Sequence, residues 1–436
     1  MNILWSFAPI FLFVFIFVGS GIYFSLMGYE KAFTILPPVI AIIPSIILAW
    51  IKNRKPSEEK TTDFLSGIGE KDIIYMCVIF LLAGAFGEVT KSIGSIESLV
   101  NFTISFVPAK FLLIGIFLIS AFLSTAIGSA LGTVAAVGPV AADFCLHAIG
   151  ISMPVAMGAV VGGAFFGDNL SLVSDTTIVS ISSQGADVKK KFNINLRIAA
   201  IATVITVLAM CLSATVRVDK MQSSNFSLIL ILPYVVLLLL AFKRVNILVC
   251  LTISILLAGV IGHYCHVDYC MLNFCNDINA GFLKVYGVLL LGLMIGGLSG
   301  LIGGDAVKEV AGIVSEKIEK RGRPDSRLPQ FIIGGLAATF TFLLSNNVIA
   351  IICCGKIAKG IANNNEISPH YSATILEVFA CGVKGLLPHG TQVLLAASLA
   401  GISPLSILPR VYYCHALIIV SILFIWFVNK KSSIVS

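Results

Sequence analysis

Residues 153–177 read MPVAMGAVVGGAFFGDNLSLVSDTT, and this stretch decides how the chain folds. An apolar, glycine-rich run is followed within ten residues by two carboxylates, an amide and several hydroxyls. Charge at membrane depth is costly, so such groups normally face a cavity, pair with a partner or do chemistry. We expect the helix to unwind there and to present oxygen ligands that suit a hard cation such as Na+. The predicted ion-binding residues are Asp168, Asn169, Ser171, Ser174, Asp175 and Thr176. The alternative is an ordinary polar loop at the membrane surface.

The composition indicates that these polar residues lie inside a membrane protein. The chain has 436 residues, of which 58% are hydrophobic and 12% charged, and its mean hydropathy is +1.00. Soluble domains carry about 25% charged residues. A soluble enzyme, a nucleic-acid-binding domain and a disordered chain are therefore excluded. Long apolar runs without the alternation of barrel strands predict an all-α polytopic membrane protein, with about 10–12 crossings plus re-entrant pieces.

The basic residues fall in four clusters, which lie at 52–71, 189–191, 317–327 and 430–431. Loops rich in lysine and arginine stay on the cytoplasmic side of a membrane. This pattern predicts that both termini are cytoplasmic. It also explains the net charge of +7 without an acidic partner.

The two halves of the chain resemble each other. Pro154 opens the run that leads into GGAFFGDNLSLVSDTT (162–177), and Pro369 opens the run that leads into LEVFACGVKGLLPHGT (376–391). Upstream, residues 119–133 correspond to 337–350, and residues 81–99 to 292–310. Repeats whose helices are interrupted at matching places are typical of secondary transporters, with the site at the repeat interface.

The second half carries different chemistry at its interrupted helix. Glu377 sits among apolar residues, a setting that suits a proton-binding group. Lys384 either pairs with a carboxylate, titrates or reaches an interface. We predict proton coupling for Glu377 and Lys384, and expect the second half of the site to be lined by Asn346, Asn347, His389 and Thr391.

The upstream break in the first half supplies Ser124, Thr125 and Ser129, whose oxygens would complete a cation shell. Packing of helices through small residues is the competing explanation.

These motifs resemble the NhaC-type Na+/H+ antiporter family of the ion-transporter superfamily. GGAFFGDNLSLVSDTT, preceded by IGSALGTVAAVGP, is similar to the signature of the family, and LEVFACGVKGLLPHGT is similar to the matching second stretch. The resemblance implies an inner-membrane exchanger with two inverted repeats, discontinuous helices and re-entrant hairpins, which works by an elevator-like or rocking cycle. The matching positions are Gly167, Asp168, Ser171, Ser174, Asp175, Thr176, Thr177, Glu377, Pro388 and Thr391.

The chain departs from this family in its second half. Typical members have acidic residues where this chain has Asn346 and Val378, an uncharged residue at Lys384, and Trp-Asn at His389-Gly390. A fixed lysine repels Na+ unless a carboxylate neutralises it. We therefore expect Lys384 to pair with Asp168 or Asp175 in one state of the cycle.

The sequence thus predicts proton-coupled Na+ exchange across a bacterial inner membrane. The alternative is a proton- or Na+-coupled exchanger of amino acids or organic anions, with Lys384 holding a carboxylate. A third reading, an intramembrane serine protease, rests on Gly297-Leu298-Ser299-Gly300 with His415 as base.

We divide the chain into an N-terminal hairpin with a basic loop (1–72), repeat 1 (73–214), connecting helices with a Cys/His-containing loop (215–284) and repeat 2 (285–436). The expected partners are Na+, H+ and the lipid bilayer, with no nucleic acid. The sequence is compatible with a homodimer but does not determine the oligomeric state. We expect no cofactor, no enzymatic activity and no metal beyond transported Na+.

Overall fold

The computed structural model describes residues 8–27, 35–106, 109–147, 151–172, 174–213, 226–243, 245–319 and 327–427. These residues form α-helices and one short 3-10 turn, and they contain no strand. The helices are α1 (Ala8–Leu26), α2 (Pro38–Ala41), α3 (Ile43–Lys52), α4 (Ser57–Ile68), α5 (Lys71–Ser92), α6 (Ser95–Phe106), α7 (Ala109–Ile127), α8 (Ala130–His147), α9 (Met153–Leu170), α10 (Asp175–Gln184), α11 (Val188–Ser213), α12 (Leu228–Phe242), α13 (Ile247–Cys265), α14 (Met271–Glu319), α15 (Arg327–Leu344), α16 (Asn347–Asn364), α17 (Pro369–Lys384), α18 (Thr391–Ala400), α19 (Pro404–Ile407) and α20 (Tyr412–Phe427).

The prediction of an all-α polytopic membrane protein is confirmed. Among the described residues, six helical stretches are long and apolar enough to cross a bilayer, and a pair bent by 102° would make a seventh. They are Ile73–Ser92, Met153–Gln184, Val188–Ser213, Ile247–Cys265, Met271–Ile302 and Arg327–Leu344, and the bent pair is Thr391–Ala400 with Pro404–Arg410. Shorter apolar helices accompany them, so the count of ten to twelve crossings stays a prediction.

Two segments of the chain contain the same succession of elements. The first segment (109–184) comprises α7, α8, α9 and α10, and the second segment (327–400) comprises α15, α16, α17 and α18. In both, the first helix breaks at a residue with left-handed backbone, Gly128 (φ 74°) or Ser345 (φ 51°). The short last helix ends at another such residue, Gly185 (φ 72°) or Gly401 (φ 66°).

Helices α7 and α9 pack with their backbones in contact. A Cβ added to Gly163 would lie 2.4 Å from the carbonyl oxygen of Phe117, and one added to Gly167 would lie 2.4 Å from that of Ala121. Close approach of this kind requires small residues at the interface. The residue numbers of the contacting pairs increase together along both helices, so α7 and α9 run parallel. Helix α8, which connects the end of α7 to the start of α9, therefore runs in the opposite direction.

The two segments meet through their broken helices. Helix α8 packs on α18, and the corresponding helix α16 packs on α10. Helix α17 also contacts both α9 and α10. The polar breaks of both segments are therefore gathered at one place inside the bundle.

Candidate functional site

A cavity of about 570 Å³ lies where these breaks meet. Its wall includes residues 128–131 from the first break and residues 344–349 from the corresponding break of the second segment. The breaks that follow α9 and α17 supply further lining residues, which are Asp168, Ser174, Asp175, Thr176, Lys384, His389, Thr391 and Gln392. Helices α4, α5 and α14 line the remaining side. The structure thus brings residues that are more than 200 positions apart to a single water-accessible space.

Asp168 is the buried carboxylate at this cavity. It lies on the last turn of α9, and its side chain is 6% exposed. The hydroxyl of Ser174 lies 2.7 Å from Asp168 Oδ1. Cys381 Sγ, on α17 of the second segment, lies 3.9 Å from Asp168 Oδ2. The carboxylate is therefore held at the contact between the segments, next to the unwound residues that follow α9.

A line of oxygen atoms connects Asp168 to Glu377. Ser174 Oγ, which contacts Asp168, lies 2.8 Å from Thr176 Oγ1. Thr176 Oγ1 in turn lies 3.3 Å from Glu377 Oε1. Two hydroxyls thus bridge a carboxylate of the first segment and a carboxylate of the second.

Glu377 is fully enclosed and has partners at both oxygens. Thr177 donates to Oε1 at 2.5 Å. Lys191 forms an ion pair with Oε2, and Asn195 Nδ2 donates to the same oxygen at 2.9 Å. With Thr176 these contacts fill the acceptor sites that an ionised carboxylate offers. The side chains of Lys191 and Glu377 are only 2% and 0% exposed.

The prediction of a basic loop at 189–191 is wrong, because all three lysines lie in the first turn of α11. Lys189 and Lys190 are exposed, whereas Lys191 belongs to the buried face of α11. The sequence analysis also missed Asn195, one turn later on that face. Helical spacing was the available signal, because Lys191, Asn195, Ile198 and Ala202 recur at intervals of three to four residues.

The six predicted ion-binding residues divide into two groups. Asp168, Ser174, Asp175 and Thr176 line the cavity, and Asp175 is the exposed one of the four. Asn169 and Ser171 are buried outside the cavity wall. Asn169 instead accepts hydrogen bonds from Asn195 at its carbonyl oxygen (3.0 Å) and at Oδ1 (3.2 Å).

The residues predicted to line the second half of the site, Asn346, Asn347, His389 and Thr391, all lie in the cavity wall, as does Lys384. Asn346 caps α16 by accepting from the backbone N–H groups of Val348 and Ile349. Glu377 lies behind the wall.

The first break behaves differently from the prediction. Ser124 donates to the carbonyl oxygen of Ala164 at 2.5 Å, and Thr125 donates to that of Ala121. These two residues join or stabilise helices and lie outside the cavity wall, as the helix-packing alternative requires. Ser129 does line the cavity, and it accepts from the N–H of Gly132 at the start of α8.

Comparison with known proteins agrees with this architecture. Residues 5–215 match the model of the Na+/H+ antiporter family. Over this first half, the chain is therefore similar to the Na+/H+ antiporter family. It is 25% identical over 83% of its length to a protein of Bacillus subtilis named Na(+)/H(+) antiporter NhaC, of which it covers 85%. It is 25% identical over 79% of its length to the NhaC antiporter of Alkalihalophilus pseudofirmus, of which it covers 81%.

A further relative carries a different name. The chain is 23% identical over 96% of its length to the "Malate-2H(+)/Na(+)-lactate antiporter" of Bacillus subtilis, and it covers 96% of that protein. All of these relatives are named as transporters, which supports a transporter rather than an enzyme.

Proposed function

We propose that this chain is a Na+/H+ antiporter and exchanges protons for Na+ at a site between the two segments, with Asp168 as the central ligand. The observation that carries the proposal is the buried carboxylate at the cavity wall, joined by hydroxyls to a second carboxylate. Asp175, Ser174 and Thr176 offer further oxygens around the same space. A Na+ ion requires such an oxygen shell to replace its water.

Counting hydrogens supports competition between H+ and Na+ at these oxygens. Three oxygen–oxygen contacts link Asp168, Ser174, Thr176 and Glu377, but the two hydroxyls supply only two protons. A third proton, carried by a carboxyl group, would complete the line. Na+ at Asp168 would remove the need for that proton, so the two ions exclude each other and their fluxes are coupled.

Glu377 as a second proton site is part of the proposal. In the structure, the ammonium group of Lys191 neutralises the carboxylate of Glu377. Proton uptake by Glu377 therefore requires that Lys191 withdraw during the cycle. We likewise propose that Lys384 approaches Asp168 or Asp175 in another state.

The direction of the helices supports an inverted arrangement of the two repeats. Phe165 on α9 lies against Gly385, just after α17, whereas Asp168 lies against Cys381 on α17. The equivalent helices α9 and α17 therefore run antiparallel where they touch. Inverted repeats place equivalent helices in opposite directions across the membrane.

The test is a transport assay on the whole protein in proteoliposomes that contain a pH-sensitive dye. We expect Na+ pulses to release protons from the wild-type protein. The substitution Asp168→Asn, which keeps the shape and removes the charge, should reduce this release at least tenfold. The matched control is Asp187→Asn, since Asp187 is an exposed aspartate before α11. Unchanged coupling in Asp168→Asn would overturn the assignment.

A second candidate, exchange of an organic anion, is favoured by two observations. The cavity falls within the range of about 300–1,000 Å³ that is typical of small-molecule sites. A relative that covers nearly the whole chain is named for malate and lactate. In the same vesicles, proton movement that depends on an added carboxylate and not on Na+ alone would favour this candidate.

The protease reading receives less support. Ser299 lies in the cavity wall, but the described wall does not include His415. His415 instead contacts the carbonyl oxygen of Leu408.

A further inference from the structure

We propose that an apolar cavity on the outer side of the first segment binds one acyl chain of a bilayer phospholipid. The cavity has a volume of about 190 Å³ and lies between α6, α7, α8 and α12. It is separate from the polar cavity at the helix breaks, with which it shares no described lining residue. The inference therefore goes beyond the proposed exchange and does not depend on which ion the protein transports.

The wall of this apolar cavity offers no free polar side chain to water. Among its described lining residues, only Tyr234 carries a polar side-chain atom, and its hydroxyl donates to Thr90 Oγ1 at 2.9 Å. A cavity holds water only where two to four polar partners are available, whereas a cavity lined by apolar residues stays dry and binds apolar molecules. The chemistry of the wall therefore selects a hydrocarbon occupant.

Two facing rows of side chains give the cavity its length. On α7, Leu112, Gly115 and Ile119 recur at helical spacing, and on α12, residues 231, 235 and 238 do the same. Each row extends along its helix for about 10 Å. Gly115 widens the gap between the rows, because nothing lies within 4 Å of a Cβ built at this residue.

The volume of the cavity excludes a helix of a second copy or of another protein. A helix with its side chains is about 10–12 Å wide, which is too thick for a space of about 190 Å³ that extends along two turns of α7. An unbranched hydrocarbon chain is slender enough to lie between the two rows. Size and chemistry thus agree on an acyl chain.

The cavity is continuous with the surface of the protein that faces the bilayer. Its lining residues Ile119 and Val235 are 50% and 40% exposed. Leu118 and Leu239, next to the two rows, are exposed apolar residues as well. These residues belong to apolar helices of a membrane protein, and an exposed apolar surface of this kind is a membrane contact. An acyl chain therefore reaches the cavity from the side, between α7 and α12.

The inner part of the cavity is closed off from that surface. Leu112 and Leu237 line it and are 4% and 1% exposed, and Ala141 of α8 is fully buried. Lipid that merely surrounds the protein does not touch these side chains. Contact of an acyl chain with Leu112 and Leu237 therefore distinguishes a bound chain from the surrounding bilayer.

The experiment reconstitutes the whole protein with a phosphatidylcholine whose acyl chain ends in a diazirine. Under ultraviolet light this group loses nitrogen and inserts into a nearby C–H bond, and peptide mass spectrometry locates the labelled residues. We expect the wild-type protein to be labelled at Leu112 and Leu237 as well as at Leu208, an exposed residue of α11. Gly115→Leu fills the cavity. It should reduce labelling of Leu112 and Leu237 at least tenfold and leave labelling of Leu208 unchanged.

Gly335→Leu is the matched control. Gly335 of α15 is exposed, has nothing within 4 Å of an added Cβ and lies outside the cavity wall, so labelling should equal that of the wild type. If Gly115→Leu does not fold, Ala141→Leu fills the same space from α8, with the same expected result. Wild-type protein labelled at Leu208 but not at Leu112 and Leu237 overturns the inference. Equal labelling of these two leucines in the filled and wild-type proteins overturns it as well.

Discussion

The ion pair between Lys191 and Glu377 is the most enclosed charged contact in the described part of the chain. Removing one partner of such a pair leaves an uncompensated buried charge, which costs about 3–5 kcal/mol. We expect Lys191→Met to lower the stability of the purified protein by about this amount, measured by thermal or denaturant unfolding in detergent. Lys190→Met, at the exposed neighbour, should have an effect close to zero.

The double variant Lys191→Met/Glu377→Gln provides the internal check. Because both charges are removed together, no buried charge is left over, and stability should recover by at least half of the loss in Lys191→Met. Equal losses in the single and double variants would mean that the ammonium group stabilises the fold by packing alone.

Two residues show which positions can be predicted from the sequence and which cannot. The polar stretch after residue 167 predicted a carboxylate at depth, and Asp168 is buried beside the second segment. The partner of Glu377 was not predicted, because a lysine next to two exposed lysines looks like part of a loop. The spacing of Lys191 with Asn195 and Ile198 was the signal that places Lys191 on the buried face of α11, but it does not tell which residue that face contacts.

At the scale of the elements, the contact between α7 and α9 sets the position of Asp168. Gly167 directly precedes that aspartate, and an added Cβ would meet Ala121, Ser124 and Thr125 at 2.4 Å. We expect Gly167→Ala to destabilise the protein by about 1–3 kcal/mol, as overpacking does, and to reduce Na+-dependent proton release. Unfolding in detergent and the vesicle assay measure the two effects.

Gly115→Ala, in the same helix pair, is the matched control. Nothing lies within 4 Å of a Cβ at Gly115. Alanine should therefore stabilise α7 by about 0.5–1 kcal/mol relative to glycine. If both substitutions had the same effect, helix propensity rather than close packing would govern this contact.

The sequence predicts where the helices break, but it predicts only in part which side chains at the breaks face the cavity. Polar residues after apolar runs located the breaks near residues 128, 171, 345 and 386, since a hydrated or cavity-facing group interrupts a membrane helix. Whether a given side chain faces the cavity depends on its rotation about the helix axis. Ser124 and Ser129 illustrate this point, because the first joins α7 to α9 and the second faces the cavity.

At the scale of the whole molecule, parts of two basic clusters lie at helix starts that contact the ends of other helices. The N–H of Asp187, before α11, donates to His370 at the start of α17. Arg327, at the start of α15, lies 5.4 Å from the ring of Trp426 near the end of α20. Lys320, Arg321, Arg323, Lys430 and Lys431 lie outside the described residues.

The mouth of the cavity lies at the basic cluster 52–71, since exposed residues of this cluster line the cavity. Lys55, Asp63 and Ser66 line it, and the span of α5 leads away from them to Ile93. There the carbonyl oxygen of Ile93 contacts His266, in the loop that carries Cys265 and Cys270. The loop and the cavity mouth are therefore on opposite sides of a membrane-crossing helix. Because loops rich in lysine and arginine stay on the cytoplasmic side of a membrane, we propose that the cavity mouth faces the cytoplasm.

This orientation can be tested with a membrane-impermeant maleimide on vesicles of known sidedness. Cys265, Cys270 and Cys275 are free and exposed in the native chain, so we expect them to react only from the outside. Ser66→Cys is introduced into a chain in which the exposed or cavity-lining cysteines Cys211, Cys265, Cys270, Cys275 and Cys353 are replaced by serine. It should react only from the cytoplasmic side, because Ser66 is exposed at the mouth of the cavity. The reversed pattern would place the basic clusters outside and contradict the proposed topology. Labelling of Ser66→Cys from both sides would contradict its position at a single mouth of the cavity, because only a residue that the transport cycle exposes to each side in turn is reached from both.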